Sequence, residues 1–586
     1  MRQRLSNFFA VIGFAVVAYA LVILIVLLVS KGHVPRKTVV ELDLEQPLIE
    51  AVPEGALAQT LNRDSARVRD IVESLERAAK DDRVVGVVAK IGNGRMGMAQ
   101  AQEVRNAVLR FRQSKKFAIA FAETFGEFRN GGGSYFVATA FDQVWLQPSG
   151  DIGLTGIMLE SPFVKGTLAK LGMSFHGDHR YEYKNALNFY TETRYTPAHK
   201  EALQRIMDSW FRQMLKGIGE ARHKSPQELK ALIDQGPFLG KEALDAGLVD
   251  RIGYRDEAYA EVKKRAGNSA ELLYSSKYLE RAGRPHDKGK KIALIYGVGG
   301  VVRGKSGYDP IQGNFFMGSD TVAAAFREAA EDKDVQAILF RVDSPGGSYV
   351  ASDTIWREMM NARQKGKKII VSMGDLAGSG GYFVAIPADK IVAQPGTITA
   401  SIGVLGGKVL TSGLWDKIGL SWDEIHTSQN ATMWTGTHDY TPAEWAKFEQ
   451  WLDRVYVDFT GKVADGRKLP KEKVLEIAKG RIWSGEDAKA LGLVDELGGF
   501  PEALALAKKA VGIPESDEVK LAVYPAPKST LERFFDKGAD SSDRDAAVEA
   551  TVQVLRAVQP AMRQLHMMSG ADGGDALKTP EFELTR

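Results

Sequence analysis

The stretch Gly374–Gly407 reads GDLAGSGGYFVAIPADKIVAQPGTITASIGVLGG, and an altered copy of it lies upstream. Residues 133–157 read GSYFVATAFDQVWLQPSGDIGLTGI. Tyr135-Phe136-Val137-Ala138 recurs as Tyr382-Phe383-Val384-Ala385, Asp142 as Asp389, and Gln147-Pro148 as Gln394-Pro395, each pair 247 positions apart. The likeness continues downstream at an offset of 245. Gly240–Asp250 (GKEALDAGLVD) mirrors Gly485–Asp495 (GEDAKALGLVD), and Tyr195-Thr196-Pro197 mirrors Tyr440-Thr441-Pro442. Two residues are therefore deleted after the Gly172/Gly419 pair. A period this long is a duplicated domain, not a solenoid repeat.

Each copy alternates strand and helix patterns. The apolar run 84–91 (VVGVVAKI) predicts a buried strand, 99–112 a helix and 117–122 a strand. In the second copy, 292–296, 337–342 and 368–373 predict strands, and 320–330 and 351–364 predict helices, with Ser319 placed to cap the first. Repeated β-α-β units imply a parallel sheet with right-handed crossovers. The expected organisation is an anchor at 1–37, an N-terminal α/β domain at 38–275, a linker at 276–291, a C-terminal α/β domain at 292–525 and a helical or mobile tail at 526–586. Within the tail, 546–568 has the pattern of an amphipathic helix and 538–544 is polar.

Composition bounds the function. The 586 residues are 44% hydrophobic and 26% charged, as in globular proteins, and too many for one ordinary core. A net charge of +3 with no long basic run gives no sign of nucleic-acid binding. The absence of Cys excludes disulfides, thiol catalysis and Cys-ligated zinc. Phe8–Ser30 is uncharged and mostly apolar. At ~1.5 Å per residue it would reach ~34 Å, so it is expected to be a retained transmembrane helix rather than a cleaved signal peptide, whose apolar region is ~7–15 residues long. Arg2 and Arg4 before it and Lys31, Arg36 and Lys37 after it leave its orientation undecided.

Ser401 sits among small residues, Ala400-Ser401-Ile402-Gly403, which let a substrate backbone approach closely. That makes its hydroxyl a candidate nucleophile. The offset of 247 puts Leu154 opposite Ser401, so only the second copy carries this hydroxyl.

The duplication, the apolar N-terminal segment, the Asp343-Ser344-Pro345-Gly346-Gly347 turn and the Ala400–Gly403 stretch together resemble the long form of the signal peptide peptidase A family (SppA, protease IV) over nearly the whole chain to about residue 525. The resemblance implies two tandem ClpP/crotonase-like α/β domains behind an N-terminal transmembrane helix. It implies a membrane-anchored serine endopeptidase facing the periplasm from the inner (cytoplasmic) membrane. Its substrates would be cleaved signal peptides, its assembly a homotetramer, and it would need no cofactor and no metal. It also implies a Ser-Lys dyad, and so assigns Ser401 as nucleophile and Lys184, in His179-Arg-Tyr-Glu-Tyr-Lys184, as general base. The second copy reads Thr427-Ser428-Gln429-Asn430-Ala431 opposite Lys184, with no lysine, so each half lacks what the other supplies.

A lysine is a base only when neutral. Its reference pKa of ~10.4 must fall by about three units to serve near neutral pH, a cost of ~4 kcal/mol. Burial beside Ala186, Leu187 and Phe189 is the expected cause, with repulsion from Arg180 as a second. The Gly346 or Gly347 amide, with the Ser401 amide, is assigned to the oxyanion hole; the first-half counterpart is the Gly92–Gly97 turn.

Three other signals are weaker. His176-Gly177-Asp178-His179 offers two metal ligands without a third. Gly297–Gly304 lacks the G-x-G-x-x-G spacing of a dinucleotide loop. Ser379, in Gly378-Ser379-Gly380, is a rival nucleophile that lacks the G-x-S-x-G elbow and reads as the opening of a helix. Two other function classes stay open: a crotonase-like acyl-thioester enzyme, and a non-catalytic membrane scaffold.

Overall fold

The central strands of both halves are apolar runs buried on both faces, as parallel sheets between helical layers require. In the first half, Val40, Leu42, Val87, Ala89, Ala118 and Ala120 face one core, while the intervening Val39, Val88, Ile119 and Phe121 face another. The second half alternates likewise: Ala293, Ile295, Ile338 and Phe340 on one side, Ile292, Leu294, Ala337 and Leu339 on the other. The computed structural model describes residues 32–526 apart from 53–55, 64, 93 and 95, together with 577–578.

The two sheets share one strand order. The first runs Arg251–Ile252, Gln143–Leu146, Phe117–Ala122, Val84–Lys90, Thr38–Asp43, Glu271–Tyr274, all parallel. The second runs Glu496–Leu497, Lys390–Ala393, Lys368–Gly378, Val335–Ser344, Lys290–Val298, Val519–Tyr524, again parallel. The repeated residues make repeated bonds. The Tyr135 hydroxyl donates to the Leu248 carbonyl at 2.6 Å, and Tyr382 to Leu493 at 2.8 Å. Asp142 accepts from the Ala118 amide and Asp389 from Ile369, both at 2.8 Å. Asp250 accepts from Val144 at 2.7 Å and Asp495 from Ile391 at 2.8 Å. Each Thr-Pro pair opens a 26-residue helix, Pro197–Arg222 and Pro442–Arg467, with the Thr hydroxyl accepting the first free amides.

Two local expectations change. The predicted 368–373 strand runs on to Gly378, through glycines whose register is fixed by tertiary bonds. Ser319 is the first residue of its helix, and Gly318 holds the cap position without a side-chain bond.

The fold class is corrected in one respect. Among the described residues no helix is long and apolar enough to cross a membrane. The 26-residue helices carry charges along their whole length, and the expected span, Phe8–Ser30, lies outside the described residues. The membrane anchor, the membrane as a partner, the inner-membrane and periplasmic location and cleavage in or at the membrane are therefore withdrawn. The expected 546–568 helix and 538–544 segment also lie outside the described residues.

The halves meet along a polar seam. Arg341 is 2% exposed and bonds both Glu50 carboxylate oxygens, at 2.9 and 3.0 Å, and Glu103 at 2.9 Å. Glu103 also accepts the Phe500 amide at 2.9 Å. Gln102 accepts the Gly396 amide and Trp210 donates to the Gly396 carbonyl, both at 2.8 Å. Ile398 and Ile482 of the second half pack into the first half's core. Removing one member of a buried ion cluster strands the others. Arg341→Ala should therefore cost about 3–5 kcal/mol in denaturant unfolding; a loss under 1 kcal/mol would show that the seam does not depend on this cluster.

Candidate active site

The seam brings together a lysine from one half and two serines from the other. Strand Ser174–Arg180 of the first half pairs antiparallel with Val404–Leu410 of the second, Arg180 opposite Val404. Lys184 follows the first of these strands and Ser401 precedes the second, so the pairing delivers both to one place. Glycines make the approach possible. A Cβ on Gly480 (φ +79°) would stand 2.3 Å from the Lys184 Cβ, and one on Gly403 2.7 Å from the Gly480 Cα.

The Lys184 amine lies 2.7 Å from the Ser379 Oγ, 3.1 Å from the Ser401 Oγ and 3.0 Å from the Ser401 carbonyl oxygen. Lys184, Ser379 and Ser401 are all buried, with the lysine 1% exposed. Burial alone holds the lysine well below its ordinary value of 10.5. Arg180 does not contribute the expected repulsion, because its guanidinium is turned to Asp178 and Asp453 at 2.8 and 2.5 Å. Once neutral, the amine has two N–H donors and one lone pair to share among these three oxygens.

The two hydroxyls are presented differently. Ser379 occupies the turn between the Lys368–Gly378 strand and the short Gly380–Phe383 helix, with φ 53° and ψ −114°. A non-glycine residue held there is strained, and such outliers cluster at functional sites. Ser401 also has positive φ, 51°, but its amide donates to the Arg481 carbonyl at 2.9 Å and its hydroxyl lies 3.4 Å from the Gly480 carbonyl. The Ser401 amide is thus spoken for, which corrects its expected place in the oxyanion hole.

The Gly346-Gly347 turn lies beside Ser379. A Cβ on Gly380 would stand 3.1 Å from the Gly347 nitrogen and 3.2 Å from the Gly346 Cα, and one on Gly381 2.5 Å from the Ser344 carbonyl oxygen. Ser344 braces the turn, donating to Gly299 at 2.6 Å and accepting the Gly346 amide at 3.2 Å. On one side Gly347 is in register with Val301; on the other, Gly346 and Gly347 pair antiparallel with Lys578 and Leu577.

The model of peptidase family S49 matches residues 110–269 and 361–514, a segment of each half. The chain belongs to peptidase family S49. "Protease 4" of Salmonella typhi is 33% identical over 494 residues, 82% of this chain and 77% of that protein. "Serine protease SPPA, chloroplastic" of Arabidopsis thaliana is 28% identical over 88% of this chain and 76% of its own. "Putative signal peptide peptidase SppA" of Enterococcus faecium is 33% identical over 31% of this chain and 53% of its own. These relatives identify the S49 chain as a homologue of signal peptide peptidase A, protease IV, and as a serine peptidase. A ClpP1 mutant of Listeria monocytogenes covers 36% of this chain and 94% of its own at 14% identity, with a TM-score of 0.24, too low to establish a shared fold.

The sequence expectation pairs Lys184 with Ser401 and ranks Ser379 as a rival nucleophile. In the S49 chain both hydroxyls reach the lysine, and Ser379 is the nearer. A signal for Ser379 was present: the offset of 247 places Gly132 opposite it, so the first half lacks this hydroxyl too. His176 is taken up by a stacked contact with Trp445 and a bond to Asp439.

Gly480→Ala should displace the Lys184 backbone, since its Cβ has nowhere to go and its φ is left-handed. We expect peptidase kcat to fall at least about tenfold for about 1–3 kcal/mol of stability. Wild-type kcat in a folded Gly480→Ala protein would show that this contact does not set the lysine's position.

Proposed function

We propose that this S49 serine peptidase cleaves extended peptides at one centre shared by its two α/β domains, 38–275 and 292–525, with Ser379 as nucleophile and Lys184 as general base. Ser401 holds the lysine, and the Gly346-Gly347 turn supplies the oxyanion hole. One observation carries the choice of Ser379 over Ser401: the hydroxyl 2.7 Å from the buried amine is also the one whose helix abuts the Gly-Gly turn.

Neutral Lys184 donates its two N–H bonds to the Ser401 carbonyl and hydroxyl oxygens, which turns its lone pair toward the Ser379 O–H. Ser379 Oγ attacks the scissile carbonyl carbon while its proton passes to Lys184 Nζ. The carbonyl oxygen, now an oxyanion, is met by the Gly347 amide of the Gly346-Gly347 turn, whose Gly346 amide is bonded to Ser344 Oγ. Lys184 returns the proton to the leaving nitrogen, and the C–N bond breaks. A water molecule then gives a proton to Lys184 as its oxygen attacks the acyl-Ser379 carbonyl carbon; the C–O bond to Ser379 breaks, Lys184 returns the proton to Ser379 Oγ, and the acid is released. The antiparallel pairing of Leu577–Lys578 with Gly346-Gly347 supports an extended substrate, because that edge already accepts a strand in this direction. A crotonase-like thioester chemistry would leave the lysine and both serines without work.

Ser379→Ala should lower kcat about 10³-fold or more. Ser401→Ala should lower it about 10- to 100-fold with KM nearly unchanged, since the lysine keeps its burial and loses its alignment. Steady-state rates on a quenched fluorescent peptide separate the two, and a larger loss in Ser401→Ala than in Ser379→Ala would reverse the roles.

The pH dependence follows from the same lysine. Its folded pKa is depressed, so activity falls as pH drops through that value and the amine is protonated. The unfolded chain holds the proton up to 10.5, so between the two values the unfolded state binds more protons and stability rises with pH. Lys184→Met should abolish activity and remove that alkaline gain in thermal unfolding; an unchanged slope would show that the folded amine is not depressed.

A further inference from the structure

The helix Met98–Arg112 of the lysine half begins at Gly97, which has no side chain to cap it. The cap comes from the other half. The Asp375 carboxylate accepts the Gln100 amide at 2.9 Å, and the Ala99 amide also bonds it. The Gln100 side chain reaches back to the Gly97 amide at 3.4 Å. This is a capping box in which the missing N-cap side chain is supplied in trans. A Cβ on Gly97 would stand 2.0 Å from the Asp375 carboxylate, so the glycine leaves room for it.

Asp375 occupies an irregular place in its own strand. The pairing of Lys368–Gly378 with Val335–Ser344 is regular to Met373 and resumes, shifted, at Ala377 opposite Ser344. Irregularities of this kind re-aim side chains beside active sites. Three bonds fix this one: Asp343 accepts the Leu376 amide at 2.9 Å, Thr397 donates to the Gly374 carbonyl at 2.8 Å, and Asp375 takes the helix amides. Four residues on stands Ser379.

Resting on the reading of Ser379 and Lys184 above, we propose that Asp375 is a positioning residue: by capping the Met98–Arg112 helix it locks the irregular end of the Ser379 strand to the lysine half and so holds Ser379 in line with Lys184. The other charged groups around it are Glu50 and Glu103 of the first half and Arg341 and Asp343 of the second. Arg341 is already bonded to both glutamates, which leaves the two aspartates without a cation of their own. Burial and the nearby Glu50 raise Asp375 to about 7 and Asp343 to about 8. Above the ordinary aspartate range, and until the raised range is reached, the native Asp343–Asp375 pair therefore keeps a proton that the unfolded chain has lost, and stability falls as pH rises across that window.

The test compares full-length wild type, Asp375→Ala, Asp375→Asn and Ser379→Ala for kcat and KM on a peptide substrate and for Tm between pH 4 and 8. Asp375→Ala should lower kcat about 10- to 100-fold with KM within about twofold. Asp375→Asn, whose amide oxygen still accepts the Gln100 amide, should keep kcat within about threefold of wild type and lessen the fall in Tm between pH 4 and 7, Asp343 retaining its own share. Wild-type kcat in Asp375→Ala beside an inactive Ser379→Ala overturns the positioning role and leaves the nucleophile standing. An active Ser379→Ala overturns the reading on which it rests. Where Asp375→Ala does not fold, Asp375→Asn decides: a folded variant that keeps the cap yet has kcat more than about tenfold below wild type overturns the proposal.

Discussion

A buried lysine amine bonded to serine oxygens is the constraint around which the rest is arranged. Taking the ammonium out of water is costly, so the buried group settles as the neutral amine, a base. Among the described residues, every hydrogen-bond partner of the Lys184 amine is a serine oxygen. A carboxylate in their place would form an ion pair, restore the charge and remove the base. The site therefore needs polar but uncharged surroundings, and two serines whose backbones are held at positive φ provide them.

The duplication divides this pocket between two domains. One half sends Lys184 across the seam, past Gly480 and Gly403, which are bare enough for backbones to touch. The other half supplies both hydroxyls and the Gly-Gly turn. The seam is correspondingly rich in directed bonds rather than grease alone: the Arg341 cluster, the trans cap on the Met98–Arg112 helix, and the Ser174–Arg180 pairing with Val404–Leu410. Directed bonds define one register, which a site sensitive to fractions of an ångström requires.

Much of this was legible in the chain. The halves announce themselves because Tyr135/Tyr382, Asp142/Asp389 and Asp250/Asp495 are bound to the same hydrogen-bond duties in each copy and cannot drift. Lys184 stands out because its counterpart segment lacks a lysine. The choice between hydroxyls was not legible. Ser379 and Ser401 are both flanked by small residues, and what separates them is where the Gly346-Gly347 turn packs. That depends on the strand irregularity at 374–376, held by Asp343, Thr397 and Asp375 from distant parts of the sequence. Local propensity in a glycine-rich run says nothing of such bonds, which is also why the Lys368–Gly378 strand outran its predicted end at Met373.

Covalent labelling tests the central claim most directly. The protein is treated with a serine-directed fluorophosphonate at a series of pH values, digested, and mapped by mass spectrometry. The account predicts a single adduct on Ser379, formed faster as pH rises through the depressed pKa of Lys184. An adduct on Ser401, or labelling of Ser379 whose rate does not follow the lysine's ionisation, would contradict it.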